Sequence, residues 1–133
     1  MKHIRYKRSA GAVFSLKYHL VWCPKYRLPV LTEAVKTRLL EWVTQKAYEW
    51  GADIHASDVM PDHVHVLIEA GPTWSPAKLA HQMKGHTSGV LRQACSHLRR
   101  RLPTLWSRSS LMSSVGAVSK ATIKRYIEEQ ETW

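Results

Sequence analysis

Acidic residues are missing from two long stretches of this 133-residue chain. Residues 1–32 hold seven Lys and Arg and no Asp or Glu, and residues 70–127 hold ten and again no acid. Seven of the ten acids crowd between Glu33 and Glu69, beside only three basic residues. A charge that served solubility alone would mix its signs. Two acid-free basic segments, with a net charge of +10, describe a surface for a polyanion. Nucleic acid is the leading partner. An anionic membrane fits less well, because no basic amphipathic helix also displays a bulky exposed apolar face.

Other absences narrow the class further. No apolar run approaches the ~20 residues of a membrane span, because Lys, Arg, His or Glu interrupts each one. The basic N-terminus is followed by no uninterrupted apolar core, so it does not read as a signal peptide. Cys23 and Cys95 stand alone without a CxxC, which suits a reducing cytoplasm rather than a disulfide framework. No internal repeat or low-complexity segment interrupts the chain. What is present is enough for a core: 44% hydrophobic residues and six Trp argue for one folded domain over residues 1–133.

Residues 1–11 read as a basic arm. The β-branched and aromatic run "AVFSLKYHLVWC" predicts a well-buried strand, and the prolines of "CPKYRLPVL" an irregular connection. Thr32 is placed to cap a helix whose apolar residues Val35, Leu39, Trp42, Val43, Ala47 and Trp50 recur at helical spacing, and Gly51 stops it. "ADIHASDVM", a Pro61-Asp62 turn and "HVHVLIEA" read as two further strands. Ser75 and Pro76 open a long second helix to Leu102, with Leu79, Met83, Val90, Ala94, Leu98 and Leu102 as its apolar side and Gly85 and Gly89 as points where it could kink. "LWSRSSLMSSVG" is the last strand. After a linker, "SKATIKRYIEEQETW" is a terminal helix with Ser119 as cap, so residues 117–133 form linker and helix. The order βαββαβ followed by α predicts an α+β, ferredoxin-like antiparallel sheet with an added C-terminal helix, its first and third strands central.

The third strand carries His63 and His65. Side chains two apart on a strand share a face, so the two imidazoles project together while Val64 and Val66 face the other way. Such a pair can bind one divalent metal. Taken alone, an H-x-H pair is better explained by two histidines covering a sheet face, since such pairs are common. A third ligand could come from Asp62, His55 or the terminal helix, where "YIEEQ" sets Tyr126 and Gln130 four residues apart on one side. A tyrosine beside cations can become a nucleophile toward phosphate once activated, and a glutamine carbonyl can ligate a hard cation. Spacing alone favours Tyr126 as a packing residue beside Ile123 and Ile127, and Gln130 as a solvated one. His86 and Cys95 are assigned to structure.

Four motifs in order, "VWCPKYRLPVL", "MPDHVHVLIE", "LWSRSSLMSSVG" and "YIEEQ", resemble those of single-tyrosine HUH transposases of the insertion sequence 200/605 family, from about Phe14 to Gln130. The resemblance implies that His63, His65 and Gln130 hold one Mg²⁺ or Mn²⁺. It implies that Tyr126 attacks a phosphate of single-stranded DNA to give a 5′-phosphotyrosine and a free 3′-OH, which a second strand's 3′-OH reverses. It also implies a homodimer whose terminal helix can complete the partner's site, DNA hairpins at the transposon ends as substrate, and action in the cytoplasm without a membrane. Lys25, Tyr26, Arg27, Lys84 and Arg92 are the candidate DNA contacts. One departure from the family pattern is Ser110-Leu111, where members usually carry two aromatics. Two other readings are an HUH nickase or domesticated relative, which often has extra domains or a second catalytic tyrosine, and a non-catalytic single-stranded nucleic-acid module. The latter would want exposed aromatics on the central strands where this sheet has histidines.

Overall fold

The computed structural model describes residues 7–9, 12–14, 16–115 and 120–130. Lys7–Ser9 (β1) pairs antiparallel with Ala12–Phe14 (β2) in a small ladder of its own. The main sheet contains Lys17–Trp22 (β3), Asp53–Met60 (β4), His63–Glu69 (β5) and Leu111–Ser114 (β6). Its order is β4-β5-β3-β6, antiparallel throughout. This is the expected ferredoxin-like arrangement, with β3 and β5 in the middle. The helices are Glu33–Glu49 (α1), Pro76–Ala94 (α2), Ser96–Arg101 (α3) and Lys120–Glu129 (α4). Among the described residues no helix is long and apolar enough to cross a membrane.

The ends of α1 and α2 follow the residues predicted to set them. Thr32 accepts from the Val35 amide at 3.4 Å, and Ser75 from the Lys78 amide at 3.1 Å. Gly51, at φ +68°, lets the Gly51 and Ala52 amides turn back onto the Tyr48 and Ala47 carbonyls, closing α1 with a Schellman motif. Leu20, Trp22, Val64, Val66 and Ile68 lie buried on one sheet face under Val35, Leu39 and Val43 of α1 and Leu79, Met83 and Leu91 of α2.

The structure differs from the sequence expectation at four places. The first expected strand is two, because β2 and β3 belong to different sheets. The long second helix runs unbroken through Gly85 and Gly89 and breaks instead at Cys95, whose φ −125°, ψ 97° is extended. The buried stripe of α2 is Leu79, Met83, Thr87 and Leu91, leaving Val90 44% exposed. Thr87 is tolerated inside because its hydroxyl donates to the Met83 carbonyl at 2.6 Å and accepts from Trp106 Nε1 at 3.0 Å. The last strand is also shorter than expected. Leu105 to Ser107 bond instead to the end of β3 and the residues after it, with Ser107 N–H donating to the Cys23 carbonyl at 2.9 Å and Lys25 N–H to the Leu105 carbonyl at 2.8 Å. Ser119 lies outside the described residues, as does most of the linker before α4.

Candidate active site

The sheet face turned away from α1 and α2 carries the histidines. Val21 of β3 stands opposite His65 of β5, so His19, Val21, His63 and His65 share that face. The turn before β5 adds Asp62, whose Oδ1 accepts from His63 Nδ1–H at 2.8 Å. That bond leaves His63 Nε2 for a ligand, the carboxylate–histidine arrangement that supports ligating imidazoles. His65 differs: its Nε2 is hydrogen-bonded to His19 Nδ1 at 2.9 Å. Burial, then the His19 and His63 rings, hold its pKa below the ordinary imidazole value against the pull of Asp58, so its neutral form is favoured.

Arg27 closes one side. It follows Pro24 in a single 3₁₀ turn in which Tyr26 (φ 59°) and Arg27 (φ 54°) both adopt left-handed backbone, a costly conformation for large side chains. The turn aims the Arg27 guanidinium inward, with Nε 3.6 Å from Asp62 Oδ2 and a terminal nitrogen 3.5 Å from the Ile127 carbonyl. Arg27, Asp62 and His63 therefore form one chain of charge and hydrogen bonds that reaches α4. Tyr26 itself is 51% exposed.

The terminal helix lies beside the histidines. A cleft of about 420 Å³ is lined by Arg27, His63 and His65 on one side and by Ile123, Lys124, Ile127 and Glu128 on the other. Tyr126 and Gln130 sit roughly a third of a turn round α4 from that lining, at 3.6 residues per turn. Gln130 is 1% exposed, and its Oε1 accepts from Ser107 Oγ at 3.0 Å. The Tyr126 hydroxyl is buried without a well-aligned partner among the described residues. Burial pushes its pKa up to about 12, with Ser109 pulling the other way, so the phenol is held neutral and weakly nucleophilic. The nearby Cys23 thiol is likewise raised to about 12, chiefly by burial.

The donor set suits a divalent ion in kind: two imidazoles and one amide carbonyl. Only His63 is already oriented for it. His65 and Gln130 would exchange their bonds to His19 and Ser107 for the ion. Among the described residues no three His, Cys, Asp or Glu side chains form a group able to hold a metal, so these residue types alone do not complete a site there. His55, the other third-ligand candidate, is spent on Glu69, donating to its Oε1 at 2.9 Å.

Two of the remaining candidate DNA contacts also have intramolecular partners. Lys84 Nζ donates to the Ser109 carbonyl at 2.9 Å and Ser110 Oγ at 3.0 Å, and burial lowers its pKa to about 8. Ser110, one of the two departures from the family pattern, thus anchors that lysine. Arg92 donates to the Pro103 carbonyl at 2.7 Å. Lys25 Nζ lies 5.3 Å from the Tyr26 ring centre. His19 and Ser107 were not anticipated. His19 could have been found from its place two residues before Val21 on the neighbouring central strand, on the same face as the pair. Ser107 carried no signal, because its role depends on the irregular course of residues 105–107.

Residues 12–130 match the family described as "Transposase IS200 like". The chain belongs to this family. The transposase is 34% identical over 126 residues to the ISDra2 transposase TnpA of Deinococcus radiodurans, covering 93% of this chain and 90% of that one. It is 30% identical over 127 residues to the transposase for insertion sequence element IS200 of Salmonella typhimurium, with 93% and 82% covered. The crystal structure of a transposase from Deinococcus radiodurans superposes with a TM-score of 0.85 at 33% identity, over 93% of this chain and 97% of that one. A REP-associated tyrosine transposase bound to a REP hairpin shares the fold, with a TM-score of 0.56 at 12% identity over 96% and 68% of the two chains.

Proposed function

We propose that this transposase cleaves and rejoins single-stranded DNA at hairpin-bearing transposon ends through a covalent link to Tyr126. The observation that carries the reading is that α4, the helix bearing Tyr126 and Gln130, lies beside the face that bears His63 and His65, with Ile123 and Ile127 lining the shared cleft. The Tyr126 oxygen forms a bond to phosphorus while the bond from phosphorus to the 3′ oxygen breaks. The phenol's proton is balanced by the one the departing 3′-OH takes up. A second strand's 3′-OH then forms the new phosphodiester and returns Tyr126 to its free form. Mg²⁺ or Mn²⁺ held by His63, His65 and Gln130 would, when bound, neutralise charge on the phosphate oxygens.

The chain's own residues supply the rest. Asp62 fixes the His63 ring, and Arg27 neutralises Asp62 and presents positive charge beside the cleft. Tyr126 is at rest in the docked helix, since its hydroxyl is desolvated and turned from the cleft. Reaction requires α4 to turn, or to be delivered to the histidine face of a second protomer in a homodimer. The acid-free basic segments hold the DNA, and the hairpin seen with the REP-associated relative is the kind of substrate we assign here.

The test is a gel assay for a protein–DNA adduct, using single-stranded transposon ends with Mg²⁺. Wild type should form the adduct and Tyr126→Phe should not, while DNA binding persists. An undiminished adduct with Tyr126→Phe places the nucleophile elsewhere. Adduct formed in excess chelator removes the metal from the reading.

A further inference from the structure

Trp42 of α1 and His86 of α2 meet edge to face, ring centres 5.5 Å apart and planes at 77°. Together with Lys46, Gly89, Arg92 and Arg99 they line a groove of about 650 Å³ on the helical side of the sheet, opposite the histidine face. His86, assigned to structure on sequence grounds, is exposed here. Among the described residues no acidic side chain lines the groove; Glu49, which pairs with Lys46 at 3.5 Å, stands beside it on α1. Both arginines are braced from below. Arg92 donates to the Pro103 carbonyl at 2.7 Å and Arg99 to the Arg92 carbonyl at 2.6 Å. A guanidinium has five N–H donors, so bracing spends a few and leaves others for a phosphate at reduced entropic cost.

Gly89 leaves part of the groove wall as bare backbone. It sits inside α2, where glycine costs about 1 kcal/mol relative to alanine. A Cβ built at Gly89 would meet nothing within 4 Å. Nothing within the described chain therefore requires glycine there. A bare helix wall does serve an incoming group that must approach the backbone closely.

We propose that this groove binds an unpaired nucleotide of the DNA substrate. The base stacks on Trp42 and His86, and its phosphates meet Lys46, Arg92 and Arg99. The combination of aromatic planes and a cationic track is the recognised physical basis of single-strand binding, and a recess between two helices admits a splayed base but not a duplex. This inference rests on the single-stranded DNA reading above and adds a second contact surface, on the far side of the sheet from the cleavage site.

The experiment combines fluorescence anisotropy with a single-stranded oligonucleotide and photocrosslinking of a 5-iodouracil-substituted copy, mapped by mass spectrometry. Wild type should crosslink at Trp42 or His86. Gly89→Leu, which fills the groove while improving helix propensity, should keep or raise the melting temperature. It should weaken binding at least about fivefold and lose that crosslink. Arg99→Gln, at an exposed site, should shallow the slope of log affinity against log salt by roughly 0.7, the value for one phosphate contact on a single strand. If wild type binds the oligonucleotide and Gly89→Leu binds and crosslinks identically, the groove assignment is wrong and the transposase reading stands. If wild type binds no single-stranded DNA even at low salt, both fall together.

Discussion

Replacing Ser107 by alanine should release the terminal helix. Ser107 Oγ and Gln130 Oε1 are bonded at 3.0 Å, and both residues are 1% exposed. Removing the donor leaves a buried carbonyl with no partner, which costs about 1–3 kcal/mol. At 1.4 kcal/mol per factor of ten, the undocked population of α4 should rise by about 5- to 150-fold. A second tether, from the Arg27 guanidinium to the Ile127 carbonyl, is longer at 3.5 Å. A helix of ten residues is marginal by itself, so undocking also frays it. Hydrogen exchange followed by mass spectrometry should show the α4 amides exchanging faster by that factor, with β3 and β5 unchanged. The Tyr126 phenol, raised to about 12 by burial, should titrate closer to its ordinary value near 10. Adding Gln130→Leu replaces both polar partners by apolar groups and should restore slow exchange. Unaltered α4 exchange in Ser107→Ala would refute the claim that this buried pair holds the helix.

Three further outcomes are expected. Mixing His63→Ala and Tyr126→Phe, each inactive, should recover about a quarter of wild-type adduct if α4 acts in the partner's site of a dimer, since half the dimers are mixed and each has one intact site; no recovery would keep α4 in its own chain. Lys84 is lowered to about 8 from an ordinary 10.5, so between those values the unfolded chain binds more protons and stability gains with rising pH. The wild-type melting temperature minus that of Lys84→Met should therefore rise from pH 8 to 10.5, and a flat difference would contradict the burial of that ammonium. Tyr26→Gly should avoid the ~0.5–1 kcal/mol loss that glycine usually brings, because it relieves the left-handed backbone at φ 59°; a fall in melting temperature of several degrees would argue against strain in that turn.

The sheet and the first two helices were legible because their signals are local. Thr32, Ser75 and Gly51 each act within a few residues, and the alternation along "HVHVLIE" fixes both faces of β5 at once. The split of the first strand, the shift of the α2 stripe from Val90 to Leu91, and the break at Cys95 were not legible, because each follows from packing between elements. The stripe is the clearest case. Periodicity marked Val90 as core, yet Thr87 took the inner position by bonding its hydroxyl to Met83 and Trp106, an option visible only once both partners are in place.

The same division runs through the site. Spacing puts His63 with His65, and Tyr126 with Gln130, on shared faces, and only the family resemblance gives the pairs a role; the relation between the pairs is tertiary. α4 turns Ile123 and Ile127 toward the histidine cleft, and Tyr126 and Gln130 toward the segment that continues β3. The buried Ser107–Gln130 bond favours the docked helix, while burial keeps the Tyr126 phenol neutral there. Both effects vanish when α4 leaves, whereas Asp62 and Arg27 stay with His63 on the sheet. On the reading proposed above, His63 would keep its orientation on the rigid sheet and Tyr126 would gain access only by movement of α4. The strength of the Ser107–Gln130 contact would then bear on rate as well as on stability.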